Sequence, residues 1–283
     1  MYNMIDEQWR NFSEVYPTIA ICGDIRIWQD FYSPQLDNKR DILVWLPPDY
    51  ATSERRYPVI YVHDAQNIFA NELSFVGEWG FDETMTALAS EGISAIIVGV
   101  NNMGEARRVE YSPFDWEYGK GLGDAYLAFL TDTLKPLIDT HFRTQTHPSH
   151  NGLLGSSMGG LISLYGIAIS DVFGFGGVFS PYFAPDNGAI HRVVEQRLSP
   201  NKRIYMDVGT READNLNVPP EEKDVASQRY LESVRQMDRL LRQKGYDDHH
   251  YLYVEDEGGI HHEIAWARRL PNAIRFLLSE LSY

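Results

Sequence analysis

Three short stretches carry residue types that do chemistry together. The first is Gly155-Ser156-Ser157-Met158-Gly159-Gly160, a Gly-x-Ser-x-Gly pattern centred on Ser157. A short apolar run, Gly152-Leu153-Leu154, precedes it, and a helical pattern (Leu161, Ile162, Leu164, Tyr165, Ala168) follows it. A serine on a tight strand-to-helix turn projects its hydroxyl from the sheet, and an oxyanion formed on its substrate faces a helix N-terminus. Ser156 is displaced from this frame. The second stretch is Glu255-Asp256-Glu257-Gly258-Gly259-Ile260-His261-His262-Glu263, with adjacent histidines in a loop beyond the last strand pattern. The third is Gly209-Thr210-Arg211-Glu212-Ala213-Asp214, a loop with carboxylates after another strand pattern. A serine needs a general base, and the base needs an orienting carboxylate. The chain order serine, acid, histidine therefore points to nucleophilic attack on a carbonyl, with His261 or His262 as base and Glu212 or Asp214 as acid. Asp207 lies on the strand itself and is less suited to reach. His261-His262-Glu263 lacks the i, i+4 histidine spacing of a helical zinc site, so no metal is expected.

These residues need a frame to bring them together. Apolar runs at 42–46, 59–62, 95–100, 152–154, 177–179, 204–208 and 250–254 alternate with helical stripes. One stripe is Leu122, Tyr126, Phe129, Leu130, Thr133, Leu134, Leu137 and Ile138, with Pro136 inside it where a kink or break is expected. Another is Tyr230, Leu231, Val234, Met237, Leu240 and Leu241, ended by Gly245. A last helix is expected from about 263 to 281. The alternation predicts an α/β fold with a mostly parallel central sheet of about eight strands and helices on both faces. Residues 18–28 read as antiparallel edge strands, and 1–40 as the edge of a single domain spanning 1–283. The stretch between Gly155 and His261 leaves no room for a large cap domain.

In this frame the oxyanion hole draws one N–H from Met158 and a second from the loop after 59–62, at Ala65 or Gln66. Aromatic residues make up 13% of the chain, and several fall in loops at the C-terminal edge of the strands, where ligands of open α/β sheets bind. Trp79, Tyr111 and Trp116 are the candidates for a substrate pocket, and the loop 110–120 is the candidate specificity element.

The formal net charge of −15 argues against nucleic-acid and anionic-membrane partners. A single cysteine, Cys22, leaves no intrachain disulfide and no cysteine metal cluster. The first ten residues carry Asp6, Glu7 and Arg10 without an apolar core, so no signal peptide is expected and the default location is cytoplasmic. No cofactor is implied.

The motifs resemble the esterase family of α/β-hydrolases that includes enterochelin esterases, feruloyl and acetylxylan esterases, S-formylglutathione hydrolase and the mycolyltransferases. Leu43-Val44-Trp45-Leu46-Pro47-Pro48-Asp49-Tyr50 is similar to that family's second-strand signature, and Tyr61-Val62-His63-Asp64-Ala65-Gln66-Asn67-Ile68-Phe69 to its oxyanion loop, where the third loop position is usually glycine rather than Ala65. Arg107-Arg108-Val109-Glu110-Tyr111-Ser112-Pro113 also fits. Gly258, His261, Glu263 and Trp266 fall on its final motif. The resemblance implies His261 over His262 as base and Glu212 as acid, with Asp214 as the rival. It implies a serine esterase acting on a small-molecule or carbohydrate-linked ester through an acyl-enzyme. Acyl transfer to a sugar or other alcohol by the same residues is the alternative.

Overall fold

The computed structural model describes residues 8–74 and 76–279. Among them, nine strands form one sheet in the order β1-β2-β3-β5-β4-β6-β7-β8-β9, one strand more than expected. The strands are β1 (Arg10–Asn11), β2 (Asp24–Ser33), β3 (Asn38–Leu46), β4 (Val59–His63), β5 (Ile96–Val100), β6 (Asn151–Ser156), β7 (Phe175–Phe179), β8 (Arg203–Gly209) and β9 (Tyr251–Asp256). From β5 through β9 every pairing is parallel. The pairings β1–β2, β2–β3 and β3–β5 are antiparallel. This is the α/β-hydrolase arrangement.

The central strands β4 to β7 are buried along their whole length, because alternate side chains enter separate cores on the two faces. Val59 and Tyr61 of β4 join the core that holds Leu161, Leu164 and Ile167 of the helix Met158–Ile169. Ile60 and Val62 point the other way, to Met85 and Leu88 of the helix Phe81–Ala89 and to Leu270 and Ile274 of the helix Glu263–Leu278. That last helix begins where expected, and the positions beyond 279 lie outside the described residues. Among the described residues, no helix is long and apolar enough to cross a membrane.

The edge strand expected at 18–28 is displaced. Backbone at Gly23 turns with φ +97°, and β2 starts only at Asp24. It then continues past Trp28, through a bulge between Trp28 and Phe31 at which Asp30 adopts φ 52°. At Pro136 the helix is neither broken nor α-helical throughout. A π-helical stretch, Phe129–Leu134, joins the helices Gly123–Ala128 and Lys135–His141. A π turn relieves the i→i−4 hydrogen bond that proline cannot make.

Candidate active site

β6 delivers the chain to Ser157 at the C-terminal edge of the sheet, and the helix Met158–Ile169 carries it away. Ser157 has φ 56° and ψ −120°, a conformation that costs a residue with a side chain free energy and is kept only where the surroundings enforce it. Here they do. The Ser157 N–H donates to the Phe179 carbonyl at 2.9 Å, and the Ser157 carbonyl accepts from the N–H groups of Leu161 at 3.1 Å and Tyr182 at 3.0 Å. The flanking glycine is also required by space. A Cβ on Gly155 would stand 2.8 Å from the His63 ring and 2.9 Å from the Gly159 carbonyl carbon.

The loops that carry Glu212 and His261 meet beside this turn. His261 Nδ1 lies 2.6 Å from Glu212 Oε2. A carboxylate oxygen accepts, so Nδ1 carries the proton and Nε2 is left as a base. Glu212 is fully buried. Its Oε1 accepts from the Gly209 N–H at 2.6 Å and from the Ser180 hydroxyl at 2.6 Å. The His261 ring packs edge-on against Trp266, with centroids 5.0 Å apart, and 5.5 Å from the ring of Tyr230. Its carbonyl accepts from Asn215 Nδ2 at 2.9 Å. His262 does different work: its Nδ1 accepts from the Ile264 N–H at 3.2 Å and caps the helix Glu263–Leu278. Asp214 pairs with Arg211 at 3.0 Å on the surface and is not brought to either histidine.

The loop after β4 approaches Ser157 from the other side. Asp64 has φ 61° and opens a single turn of 3₁₀ helix, Ala65–Asn67. Its carboxylate is gripped by Arg107, with Nε to Oδ1 and Nη2 to Oδ2 both at 2.7 Å, and by Asn102 Nδ2 at 2.6 Å. Burial pushes the Asp64 carboxyl up, but Arg107 and Asn102 outweigh it and hold it below the usual range. Ala65 is buried against Gly99 of β5, where a Cβ on the glycine would come within 2.8 Å of the Ala65 methyl. The alanine in place of the family's usual glycine is thus accommodated by a glycine on the neighbouring strand. Gln66 Oε1 accepts from the Asn102 N–H at 3.2 Å, and Asn67 Nδ2 donates to Glu263 Oε1 at 3.3 Å. Burial pushes the Glu263 carboxyl up to about 7, with the Asp64 charge adding to it.

Ser157, His261, Asp64, Gln66, Asn67, Arg107, Asn215, Glu263 and Trp266 are among the residues that line one cavity of about 370 Å³. Among the described residues, no group of three or more His, Cys, Asp or Glu side chains is placed to hold a metal ion. The aromatic residues expected in the pocket are placed elsewhere. Trp79 is buried under the site, its ring 5.4 Å from Trp266 and 4.9 Å from Phe179. Tyr111 is buried beneath Arg107, whose guanidinium sits 5.0 Å from its ring centre, and its hydroxyl accepts from the Asp64 N–H at 3.3 Å. Both are too deep to meet a ligand in this cavity. Trp116, from the loop 110–120, lines a neighbouring cleft of about 320 Å³ with Tyr182.

Residues 33–277 match the profile of the family described as "Putative esterase". The chain belongs to this esterase family. Among its relatives is the uncharacterized protein YbbA of Bacillus subtilis (strain 168), 25% identical over 247 residues that cover 84% of this chain and 92% of the relative. Solved structures with the same fold include a ferulic acid esterase (TM-score 0.66, 19% identity, covering 90% of this chain and 98% of that one). They also include the siderophore hydrolase EstA from Aspergillus nidulans (TM-score 0.68, 19% identity, covering 91% and 95%). The protein is therefore a carboxylic-ester hydrolase of the α/β-hydrolase fold.

Some residues that shape the esterase site were not singled out from the sequence. Ser180, Tyr230 and Arg269 surround the Glu212–His261 pair, and Asp207 backs it through Arg269 at 3.0 Å. Ser180 had a readable signal: it directly follows a buried strand, at the sheet edge where ligands bind. Tyr230 and Arg269 sit within amphipathic helical stripes and carry no local mark.

Proposed function

We propose that the esterase works through Ser157, His261 and Glu212 by way of an acyl-enzyme. The observation that carries this reading is the 2.6 Å contact between His261 Nδ1 and buried Glu212, in a loop that shares a cavity with a serine held at φ 56°. The Ser157 oxygen attacks the ester carbonyl while its proton passes to His261 Nε2. The resulting oxyanion is stabilised by the N–H of Met158 and that of Ala65 or Gln66. Collapse breaks the bond to the alcohol oxygen, which takes the proton from His261. Water, deprotonated by the same nitrogen, then releases the acid and regenerates Ser157.

The cavity, about 370 Å³, is near the lower end of small-molecule sites, which run from about 300 to 1,000 Å³. That size favours esters of small or monocyclic acids, and the structural relative named for ferulic acid supports the same class.

The test is hydrolysis of p-nitrophenyl acetate together with labelling by a fluorophosphonate probe. Wild type is expected to turn over the ester and to take up one label at Ser157. Ser157→Ala is expected to lose the label and at least about a thousandfold in kcat. An alanine variant as active as wild type refutes the assignment.

A further inference from the structure

Ser180 lies just beyond β7, completely buried, with φ 36°. A serine hydroxyl offers one donor and two acceptor sites, and here all are taken. Trp266 Nε1 approaches the hydroxyl oxygen at 2.9 Å, Arg269 Nη2 at 3.0 Å, and Glu212 Oε1 at 2.6 Å. An indole N–H and a guanidinium only donate, so they fill the lone pairs. The hydroxyl proton is left a single destination, the Glu212 carboxylate.

The rest of Ser180 is equally fixed. Its N–H donates to the Asp207 carbonyl at 3.1 Å and to Asp207 Oδ1 at 3.0 Å, and its carbonyl accepts from the Tyr230 hydroxyl at 2.7 Å. Arg269 is itself clamped by Asp207 at 3.0 Å and Asp256 at 3.2 Å. The terminal torsion of a glutamate has no sharp rotamer wells, so local geometry alone does not set the plane of its carboxylate. In Glu212 that plane is set at Oε1, between the Gly209 N–H and the Ser180 hydroxyl, and this leaves Oε2 facing His261.

We propose that Ser180 is a positioning residue whose hydroxyl orients the Glu212 carboxylate toward His261. The proposal rests on the assignment of Glu212 and His261 to catalysis. Because glycine adopts φ 36° without strain, Ser180→Gly removes the hydroxyl and keeps the backbone. A hydrogen bond to a charged group corresponds to a factor of roughly ten to a hundred. In Ser180→Gly, kcat for p-nitrophenyl acetate is expected to fall by that factor, with KM little changed.

The double-mutant cycle with Glu212→Gln supplies the readout that a merely structural role would not move. In the Glu212→Gln background, adding Ser180→Gly is expected to lower the residual rate by no more than about twofold. Thermal melts establish that each variant is folded. If Ser180→Gly does not fold, Ser180→Cys gives the same comparison, since a thiol is a weaker donor at the same place and an intermediate kcat is expected. Wild-type kcat in the glycine or the folded cysteine variant overturns the proposal, as does an equal fold-loss with and without Glu212. If Glu212→Gln itself keeps wild-type activity, the catalytic assignment falls instead, and the positioning role falls with it.

Discussion

Glu212→Gln isolates the proposed acid with hardly any change in shape. The carboxylate meets donors at both oxygens: Gly209 N–H and Ser180 Oγ–H at Oε1, and His261 Nδ1–H at Oε2, each at 2.6 Å. Glutamine has one oxygen and one NH₂ to offer them. If the oxygen stays with Gly209 and Ser180, the NH₂ faces His261 and drives the imidazole proton to Nε2, the wrong tautomer for receiving a proton from Ser157. If the amide is reversed, the NH₂ confronts the donors of Gly209 and Ser180 inside the protein, at a cost of about 1–3 kcal/mol for each bond lost. The first arrangement is therefore preferred. A serine hydrolase whose histidine is trapped in that tautomer loses about 10⁴ in kcat, equivalent to about 5 kcal/mol of transition-state stabilisation. The expected kcat for p-nitrophenyl acetate is thus about 10³ to 10⁴ below wild type, with KM little altered. Asp214→Asn serves as the control and should stay near wild type, because Asp214 is held by Arg211 outside the histidine's reach. A Glu212→Gln enzyme with more than about a tenth of wild-type kcat, or an Asp214→Asn enzyme as impaired as Glu212→Gln, refutes this reasoning.

Other consequences can be measured with the same assay and simple melts. Gly99→Ala places a methyl 2.8 Å from both Ala65 Cβ and Ile68 Cδ1. It should destabilise by about 1–3 kcal/mol and, by displacing the oxyanion loop, lower kcat by about tenfold or more; an unchanged kcat would show that this loop position is not critical. Burial raises Glu263 from its ordinary 4.5 to about 7, so between these values the folded protein binds the proton more tightly than the unfolded chain. The stability that results is fully present below pH 4.5 and is lost as pH rises toward about 7. Glu263→Gln should therefore lose less of its thermal midpoint than wild type over this interval, and parallel curves would contradict the shift.

The parts of the fold that could be read from sequence are those in which local pattern and tertiary role coincide. β4 to β7 are buried on both faces, so their apolar runs mark them. The elbow is written in glycine at Gly155, where a Cβ would stand 2.8 Å from the His63 ring. The edge was less legible: the positive φ of Asp30 and the bulge after Trp28 interrupt the alternation that would have extended β2 toward Ser33. The burial of two pocket candidates, Trp79 and Tyr111, was hard to read for a related reason. Aromatic residues in loops signal either a lining or a layer of packing, and only the fold shows that Trp79 and Tyr111 lie beneath Trp266 and Arg107. The position of Ser180 after a strand was readable, but its role was not, because its partners come from distant parts of the chain, Glu212, Trp266 and Arg269.

Those distances matter during synthesis. The strand and turn that present Ser157 are complete well before the ribosome reaches the helix Glu263–Leu278, which supplies the indole and guanidinium that hold the Ser180 hydroxyl in place. On the catalytic assignment proposed above, a nascent chain carries its nucleophile early but gains an aligned acid and base only when this late helix docks. On the same assignment, reactivity would be timed to the end of folding, and a partly made enzyme would lack the aligned base it needs to attack esters around it.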